Sequence, residues 1–450
     1  MAENPTQNPS NVLLLTVDSL RFDAYVENRS NPAVNRLINR GVVFEQAYAT
    51  GPGTTPSFPA LLTGTLPLSY GGLGSLTESR PSVAETLKNH GIETAGFQCN
   101  PFLSTHFNYD TGFTVFKDYQ NPLMGFATKV FPRGIEINNP KLSWVDEFLH
   151  ITDAIKKSYQ LVMGKPRPYV SAEVITNDTI EWLDKTEESF FCWTHYMDVH
   201  HPCFPPEPYR SHHNVEHITQ SGISRLYSRM LDSSETLSDD ELSDLKQLYD
   251  AAIDYVDDQI GRIIDNLKSS DRFKDTLVIV TSDHGELFGE HYQFGKPERM
   301  YEELLHVPLI VANGPDWIED ATDDLVSLLD IPPLIHAVLN LDVPDIYEGR
   351  VPSIDSPRDY IIAEHEVEGD VIVGARSEEW LYEADEIRDE HRLFDLRDGG
   401  FQQIPIEEHP DVPVQSVVAK RLQSLDVDTR GLEDEVEGDV QSRLEDLGYL

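Results

Sequence analysis

The chain has 450 residues, 39% of them hydrophobic and 25% charged, a globular balance that excludes a collagen, a coiled coil or a wholly disordered chain. Asp and Glu number 78 against 35 Lys and Arg, so the formal charge is −43. Such a surface repels nucleic acid and anionic membranes.

Residues 1–10 are polar and lack the basic and apolar pattern of a signal segment. No run approaches the ~18 apolar residues that cross a membrane. A cytoplasmic location is expected. Residues 11–17, Asn-Val-Leu-Leu-Leu-Thr-Val, read as a strand buried on both faces, as in a parallel sheet. A helix over 33–40 stops at Gly41, and 42–48 return to strand character. A helix over 56–63 follows Gly51-Pro52-Gly53. The segment 82–90 is an amphipathic helix, with a strand over 92–98. Residues 189–194 and 276–281 are two more buried strands, separated by a long helix over 238–268. Residues 307–312 form another strand. Strands alternating with helices predict an α/β sheet covered on both faces.

Two stretches break the rhythm. Residues 120–170 carry Pro, Gly and a helix over 143–162, and 203–237 are rich in Pro, His and Ser. Both read as excursions over the sheet edge, and His212, His213 and His217 as a surface loop. Beyond Asp345 the spacing predicts a small antiparallel sheet over 360–365, 370–376, 379–383 and 392–396. The tail over 405–440 is acidic and poorly periodic, and the final eleven residues look like a docking helix. The division is therefore 1–345, a catalytic α/β domain, and 346–450, a small α+β subdomain with the tail. Cys99, Cys192 and Cys203 have no metal-site spacing and are expected as buried thiols without a disulfide. The acidic residues are spread along the chain, and only 13 of the 35 basic residues are Lys. This predicts a haloadapted surface whose repulsion concentrated salt screens.

In open α/β sheets function gathers at the carboxyl ends of the strands. Asp18 ends the first strand, Asp283-His284 end another, and His200 follows a third. Carboxylates with an imidazole suit one divalent cation, Mg, Mn, Ca or Zn. Pro56 is pre-organised for a first helical turn, which places Thr54 at or just before the cap. Free N–H groups and the positive dipole end favour an anion there. A hydroxyl beside a metal can lose its proton and attack phosphorus or sulfur. Taken alone, the segment also reads as an ordinary threonine cap.

The ordered motifs are Val17-Asp18-Ser19-Leu20-Arg21, Thr54-Thr55-Pro56-Ser57 with Leu61-Leu62-Thr63-Gly64, Asp198-Val199-His200-His201-Pro202 and Tyr255-Val256-Asp257-Asp258-Gln259-Ile260-Gly261. Ser282-Asp283-His284-Gly285-Glu286, Gly289-Glu290-His291, Lys296, Tyr301-Glu302-Glu303 and Val307-Pro308-Leu309 follow. Near the end stand Glu379-Trp380 and Leu393-Phe394-Asp395-Leu396. With these the chain resembles the sulfatase family of the alkaline-phosphatase superfamily, in an acidic, haloarchaeal-like version. The resemblance implies a mostly parallel central sheet with helices on both faces and a small C-terminal antiparallel subdomain. It implies a cation held by Asp18, Asp283, His284 and the Thr54 hydroxyl, with Thr54 as nucleophile. In sulfatases that position is Cys or Ser, converted to formylglycine, with Arg four residues on; here Phe58 replaces the Arg. The second metal-binding Asp is Ser19, and the Gly-Lys-Trp-His stretch is represented by Phe97-Gln98-Cys99-Asn100-Pro101. The pair Asp283-His284 stands where many sulfatases have Asp-Asn, as in phosphonate monoesterases. Thr nucleophiles occur in the superfamily's phosphodiesterases and phosphotransferases.

The remaining roles follow from charge. Lys296 would neutralise the transferred group's equatorial oxygens, and His200 would bind that group or protonate the leaving oxygen. Asn100 and His291 are assigned to the substrate. His195, Asp198 and His201 are secondary candidates, and Asp198 with His200 or His201 is the only set for a second cation. The expected function is a metal-dependent hydrolase of a sulfate or phosphate ester, its substrate a small molecule, glycan or lipid head group. The alternatives are a phosphotransferase acting on a glycan or lipid head group, and a non-catalytic binding protein.

Overall fold

The computed structural model describes residues 8–27, 32–70, 75–119, 169–353, 355–367, 369–397, 400–405, 408 and 410–425. The helix expected over 143–162, the tail beyond 425 and the docking helix lie outside these residues. In chain order come β1 (Asn11–Val17), α1 (Pro32–Ile38), β2 (Gly41–Val43), β3 (Ala47–Tyr48), α2 (Thr54–Thr63), α3 (Val83–Asn89), β4 (Glu93–Phe97) and β5 (Val115–Lys117). Then follow α4 (Ala172–Leu183), β6 (Phe190–Tyr196), α5 (Glu207–His212), α6 (Gln220–Asp232), α7 (Asp239–Ser269) and β7 (Thr276–Ser282). Next are β8 (Leu287–Phe288), β9 (Phe294–Gly295), α8 (Glu302–Leu305), β10 (Leu309–Ala312), β11 (Val326–Ser327) and α9 (Ile331–Val338). The last group is β12 (Ile361–Val367), β13 (Asp370–Arg376), β14 (Trp380–Asp385), β15 (Glu390–Asp395), β16 (Gln402–Ile404) and α10 (Pro413–Ser424).

The central sheet has seven strands in the order β2-β10-β7-β1-β6-β4-β5. Five neighbours, β7 through β5, run parallel, and β10 is antiparallel to both β7 and β2. The apolar runs are continuous because β1, β6 and β7 are buried at every residue. Alternate side chains of β1 serve two cores. Leu13, Leu15 and Val17 face the side of α1, α4, α6 and α7, where Val34, Ile175, Leu226 and Ile263 pack. Val12 and Leu14 face α2, α3, α9 and the C-terminal sheet, through Leu61, Leu87, Leu334 and Ile372. Each fully buried Leu or Ile contributes roughly 2 kcal/mol. The 31 residues of α7 start at a capping box between Ser238 and Glu241.

Three local expectations change. The run 42–48 is two strands, β2 on the central sheet and β3 paired with β11, because the chain leaves one sheet for the other. The stretch 203–237 is not loop throughout. Pro206 leads into α5, Thr219 caps α6, and His212 and His213 end α5. The C-terminal sheet has a fifth strand, and the region expected as irregular tail holds α10. Only Val414 and Val418 of α10 are deeply buried, packing on Val371, Val373 and Leu393, so its own periodicity is short. Among the described residues no helix is long and apolar enough to cross a membrane.

Candidate active site

The register of β1 on β7 sets Val17 beside Ser282, so the next residues, Asp18 and Asp283, leave the sheet side by side. Asp18 is pinned by its N–H to the Tyr196 carbonyl at 2.9 Å. Ser19 then adopts a left-handed φ of 62° and turns its N–H onto Asp283 Oδ1 at 3.3 Å. That turn is braced from α7, where the Tyr249 hydroxyl donates to the Ser19 carbonyl at 2.8 Å. Ser282 Oγ accepts the Leu20 N–H at 2.9 Å. Gly53 caps α2 in an extended conformation, and Thr54 is the first helical residue, one place further in than the sequence suggested. Ser57 Oγ donates to the Asp283 carbonyl at 2.6 Å and ties α2 to the strand end.

Asp18, Thr54, Asn100, His195, Asp283 and His284 are all fully buried. Thr54 Oγ1 lies 3.4 Å from Asp18 Oδ2 and 3.3 Å from His284 Nε2. His284 Nδ1 is 2.7 Å from the Gly285 carbonyl, which only accepts, so Nδ1 holds the proton and the Nε2 lone pair faces the carboxylates. Nε2 stands 3.5 Å from Asp18 Oδ1 and 3.4 Å from Asp283 Oδ2. One ligand atom of each residue falls within 4.8 Å of the others.

Asp283 Oδ2 is buried without a hydrogen-bond partner among the described residues. A lone pair and two carboxylates aimed at one point repel unless a cation sits between them, and this oxygen and nitrogen set fits a divalent one. The titration shifts agree. Burial and the Asp18 charge push Asp283 far above the usual carboxylate range. Burial acts upward on Asp18 too, but His200, His195, His284 and Lys296 together hold it well below that range. Burial and Lys296 push His284 down to about 3, so the imidazole stays neutral.

Lys296, four residues beyond the exposed Tyr292 of the β8–β9 hairpin, bonds His200 Nε2 through its Nζ. His200 Nδ1 is taken by the His201 carbonyl, so Nε2 accepts and the ammonium donates. Burial and Lys296 keep His200 far below an ordinary imidazole. Burial also lowers Lys296, against the opposing pull of Asp18, Glu286 and Asp283.

The other expected residues fall in different places. Asn100 donates its amide to Asp18 Oδ2 at 2.9 Å, with its own oxygen on the Phe102 N–H at 3.0 Å. His291 pairs with Glu303 at 3.0 Å and stacks on Tyr301 at 4.2 Å; none of these partners belongs to the Asp18 cluster. Asp198 accepts the Ala172 N–H at the start of α4 at 2.8 Å. His201 bonds Glu286. No second set with Asp198 gathers among the described residues. One other group, His212, His213 and Asp254, meets near the surface, where His213 Nε2 is hydrogen-bonded to Asp254 Oδ2 at 2.7 Å. The three cysteines are buried and form no disulfide among the described residues, and burial pushes the Cys192 thiol up to about 12. Sequence reading assigned no role to Ser57, Tyr249, Ser282 or Glu286. Ser57, Ser282 and Glu286 sit inside quoted motifs, and Tyr249 does not.

A family model for sulfatases matches residues 10–341. The uncharacterized sulfatase YidJ of Escherichia coli (strain K12) is 30% identical over 220 residues, 45% of this chain and 43% of that protein. The chain thus spans less than half of that relative's length. An arylsulfatase of Clostridium perfringens (strain 13 / Type A) is 23% identical over 392 residues, 79% of this chain and 81% of the other. Among solved structures, the phosphonate monoester hydrolase of Agrobacterium radiobacter superposes with a TM-score of 0.66 at 20% identity, covering 93% and 95% of the two chains.

Proposed function

The chain belongs to the sulfatase family, and from that premise we propose that it hydrolyses a sulfate or phosphate ester with Thr54 as its nucleophile. The observation that carries this reading is the Thr54 hydroxyl, held 3.4 Å from Asp18 Oδ2 and 3.3 Å from His284 Nε2 at the first turn of α2. Relatives named as arylsulfatases and a neighbour named as a phosphonate monoester hydrolase support the ester class. The catalytic unit is taken as 1–345 and the C-terminal unit as 346–450, working at high salt.

Asp18, Asp283, His284 and Thr54 would hold the divalent cation. When bound, it would supply positive charge that lowers the hydroxyl pKa and screens the transferred group. The rest falls to the chain's own groups. Thr54 Oγ1 forms the new bond to phosphorus or sulfur, and its proton passes to Asp283, the carboxylate that burial and the Asp18 charge make the stronger base and that Thr54 also bonds. The bond to the leaving oxygen breaks, and that oxygen takes a proton from the Lys296–His200 pair, which lies at the end of β6 and β9. The free N–H groups at the start of α2 face the equatorial oxygens. Water then attacks the phosphorus or sulfur and gives a proton to the Lys296–His200 pair; the bond to Oγ1 breaks, Oγ1 takes its proton back from the carboxylate, and the inorganic product leaves. A formylglycine hydrate can shed sulfate by eliminating it from carbon, a route closed to a threonine ester, so phosphorus is the favoured centre.

The test is turnover of an aryl phosphodiester, an aryl phosphonate and an aryl sulfate at high salt with Mn²⁺. Thr54→Ala should lose nearly all turnover with the fold intact, and Thr54→Ser should keep part of it. Substantial activity in Thr54→Ala would mean that water attacks the ester directly.

A further inference from the structure

A polar chain runs through the buried middle of β1 and β6, and the scheme above does not use it. Trp193, Thr16 and His195 each have no exposed surface. The Trp193 indole N–H donates to Thr16 Oγ1 at 2.9 Å. Thr16 Oγ1 in turn lies 2.9 Å from His195 Nδ1. The indole can only donate, so the hydroxyl oxygen accepts there. Were Nδ1 protonated, the hydroxyl's own proton would be buried without an acceptor, which costs about 1–3 kcal/mol. The hydroxyl therefore donates to Nδ1, and the ring's proton is on Nε2. That nitrogen is buried with no hydrogen-bond partner among the described residues, and it stands 3.4 Å from Asp18 Oδ2.

The ring cannot turn away. Phe58, one turn beyond Thr54 on α2, stands edge-on to it at 4.9 Å, and Trp193 closes another side at 6.2 Å. Asp18 Oδ2 thus meets Asn100 at 2.9 Å on one side and His195 on the other. Asp18 Oδ1 is left to Ser19 at 3.0 Å and to the edge of His284. A carboxylate that must face both a cation and a hydroxyl loses either one by a small rotation, and outer partners of this kind commonly govern metal affinity 10–100-fold.

We propose that His195, fixed by Thr16 and Trp193, is a positioning residue that presents one N–H to Asp18 Oδ2 and keeps that carboxylate turned toward the cation and Thr54. This rests on the reading of Asp18 and Thr54 given above. Trp193 and Thr16 select the tautomer, so the hydroxyl of Thr16 acts on the site from two residues behind Asp18.

The experiment uses the full chain at high salt. The dissociation constant for Mn²⁺ is read from its effect on the melting temperature, and kcat and KM from hydrolysis of an aryl phosphodiester. His195→Leu and Thr16→Val should each weaken Mn²⁺ binding about tenfold or more. Both should lower kcat while KM stays within about twofold of the parent, since the substrate itself meets neither side chain. His195→Gln, whose amide N–H reaches the place of Nε2, and Thr16→Ser should recover most of both. A His195→Leu protein with parental Mn²⁺ affinity and kcat overturns the proposal. So does one that loses melting temperature without metal yet binds Mn²⁺ as the parent does. Thr54→Ala separates the two readings: if it binds Mn²⁺ and turns nothing over, the nucleophile stands whether or not His195 does. A parent chain whose melting temperature ignores Mn²⁺ overturns both.

Discussion

Gly285 follows Asp283 and His284, the two proposed cation ligands, and no side chain fits there. A Cβ would lie 2.0 Å from the Glu303 carbonyl oxygen and 3.0 Å from the Arg21 side chain. Gly285→Ala must push the Asp283-His284 turn away from α8, and overpacking of this kind costs about 1–3 kcal/mol. The Gly285 carbonyl also fixes the His284 tautomer, so the shift reaches the Nε2 lone pair. The expected outcome is a lower melting temperature and weaker Mn²⁺ binding; unchanged values for both would show that the turn can relax. At this scale the sequence was informative where a residue ends a strand. Asp18, Asp283 and His284 were legible because the apolar runs before them are unbroken, and adjacent strands then bring them together. Asn100 came to the site only through the resemblance, and its bond to Asp18 spans 82 positions, so no local pattern shows it. The braces from Tyr249 and Ser57 span 230 and 226 positions, and no local pattern announces them.

At the scale of elements, α10 is held to the C-terminal sheet by a buried ion pair as much as by its two valines. Arg421 clasps Glu364 of β12 at 2.8 and 3.0 Å, and Glu364 Oε1 also accepts the Leu68 N–H at 2.6 Å. Arg421→Met leaves that carboxylate buried with no countercharge, a loss of about 3 kcal/mol. Burial already raises the Glu364 pKa above 4.5, and Arg421 is what pulls it back. A carboxyl with a raised folded pKa binds its proton more readily folded than unfolded. Its cost is therefore absent below the unfolded value of 4.5 and grows as pH rises through the folded value. Urea unfolding of Arg421→Met should show a large deficit at pH 7 that shrinks toward pH 4.5. A deficit independent of pH would assign the loss to packing alone. The sequence missed α10 because a helix with so few buried positions has a weak period, and its partner lies 57 positions earlier. It resolved β1, α7 and β7 because their burial patterns are continuous or long.

Across the whole molecule the dominant fact is the charge of −43. Like charges on a folded surface repel over the Debye length, which shrinks from ~10 Å at 0.1 M salt to ~3 Å at 1 M. The ion pairs that the fold buries, such as Arg392–Glu383 and Arg421–Glu364, are screened far less than the surface. The melting temperature should therefore rise between 0.1 and 1 M KCl. Equal values at both would refute the haloadapted reading. The layered α/β plan was legible from alternating element types, which need no long-range information. The antiparallel entry of β10 was not, because direction within a sheet leaves no mark on a four-residue apolar run.

One feature of the C-terminal sheet bears on the order in which the molecule is made. The Glu364 N–H bonds the Thr50 carbonyl at 2.8 Å, and the Glu364 carbonyl crowds Gly51 at 2.8 Å from where a side chain would begin. The strap that carries Thr54 into α2 is thus clamped by a strand 296 positions after Leu68, the other residue Glu364 holds. During synthesis every strand of the central sheet leaves the ribosome before that clamp exists. A nascent chain halted after β10 would own the proposed cation ligands yet present Thr54, the proposed nucleophile, on an unfastened loop. Hydrolytic competence would then arrive as a late, abrupt event, timed by the emergence of β12 and α10.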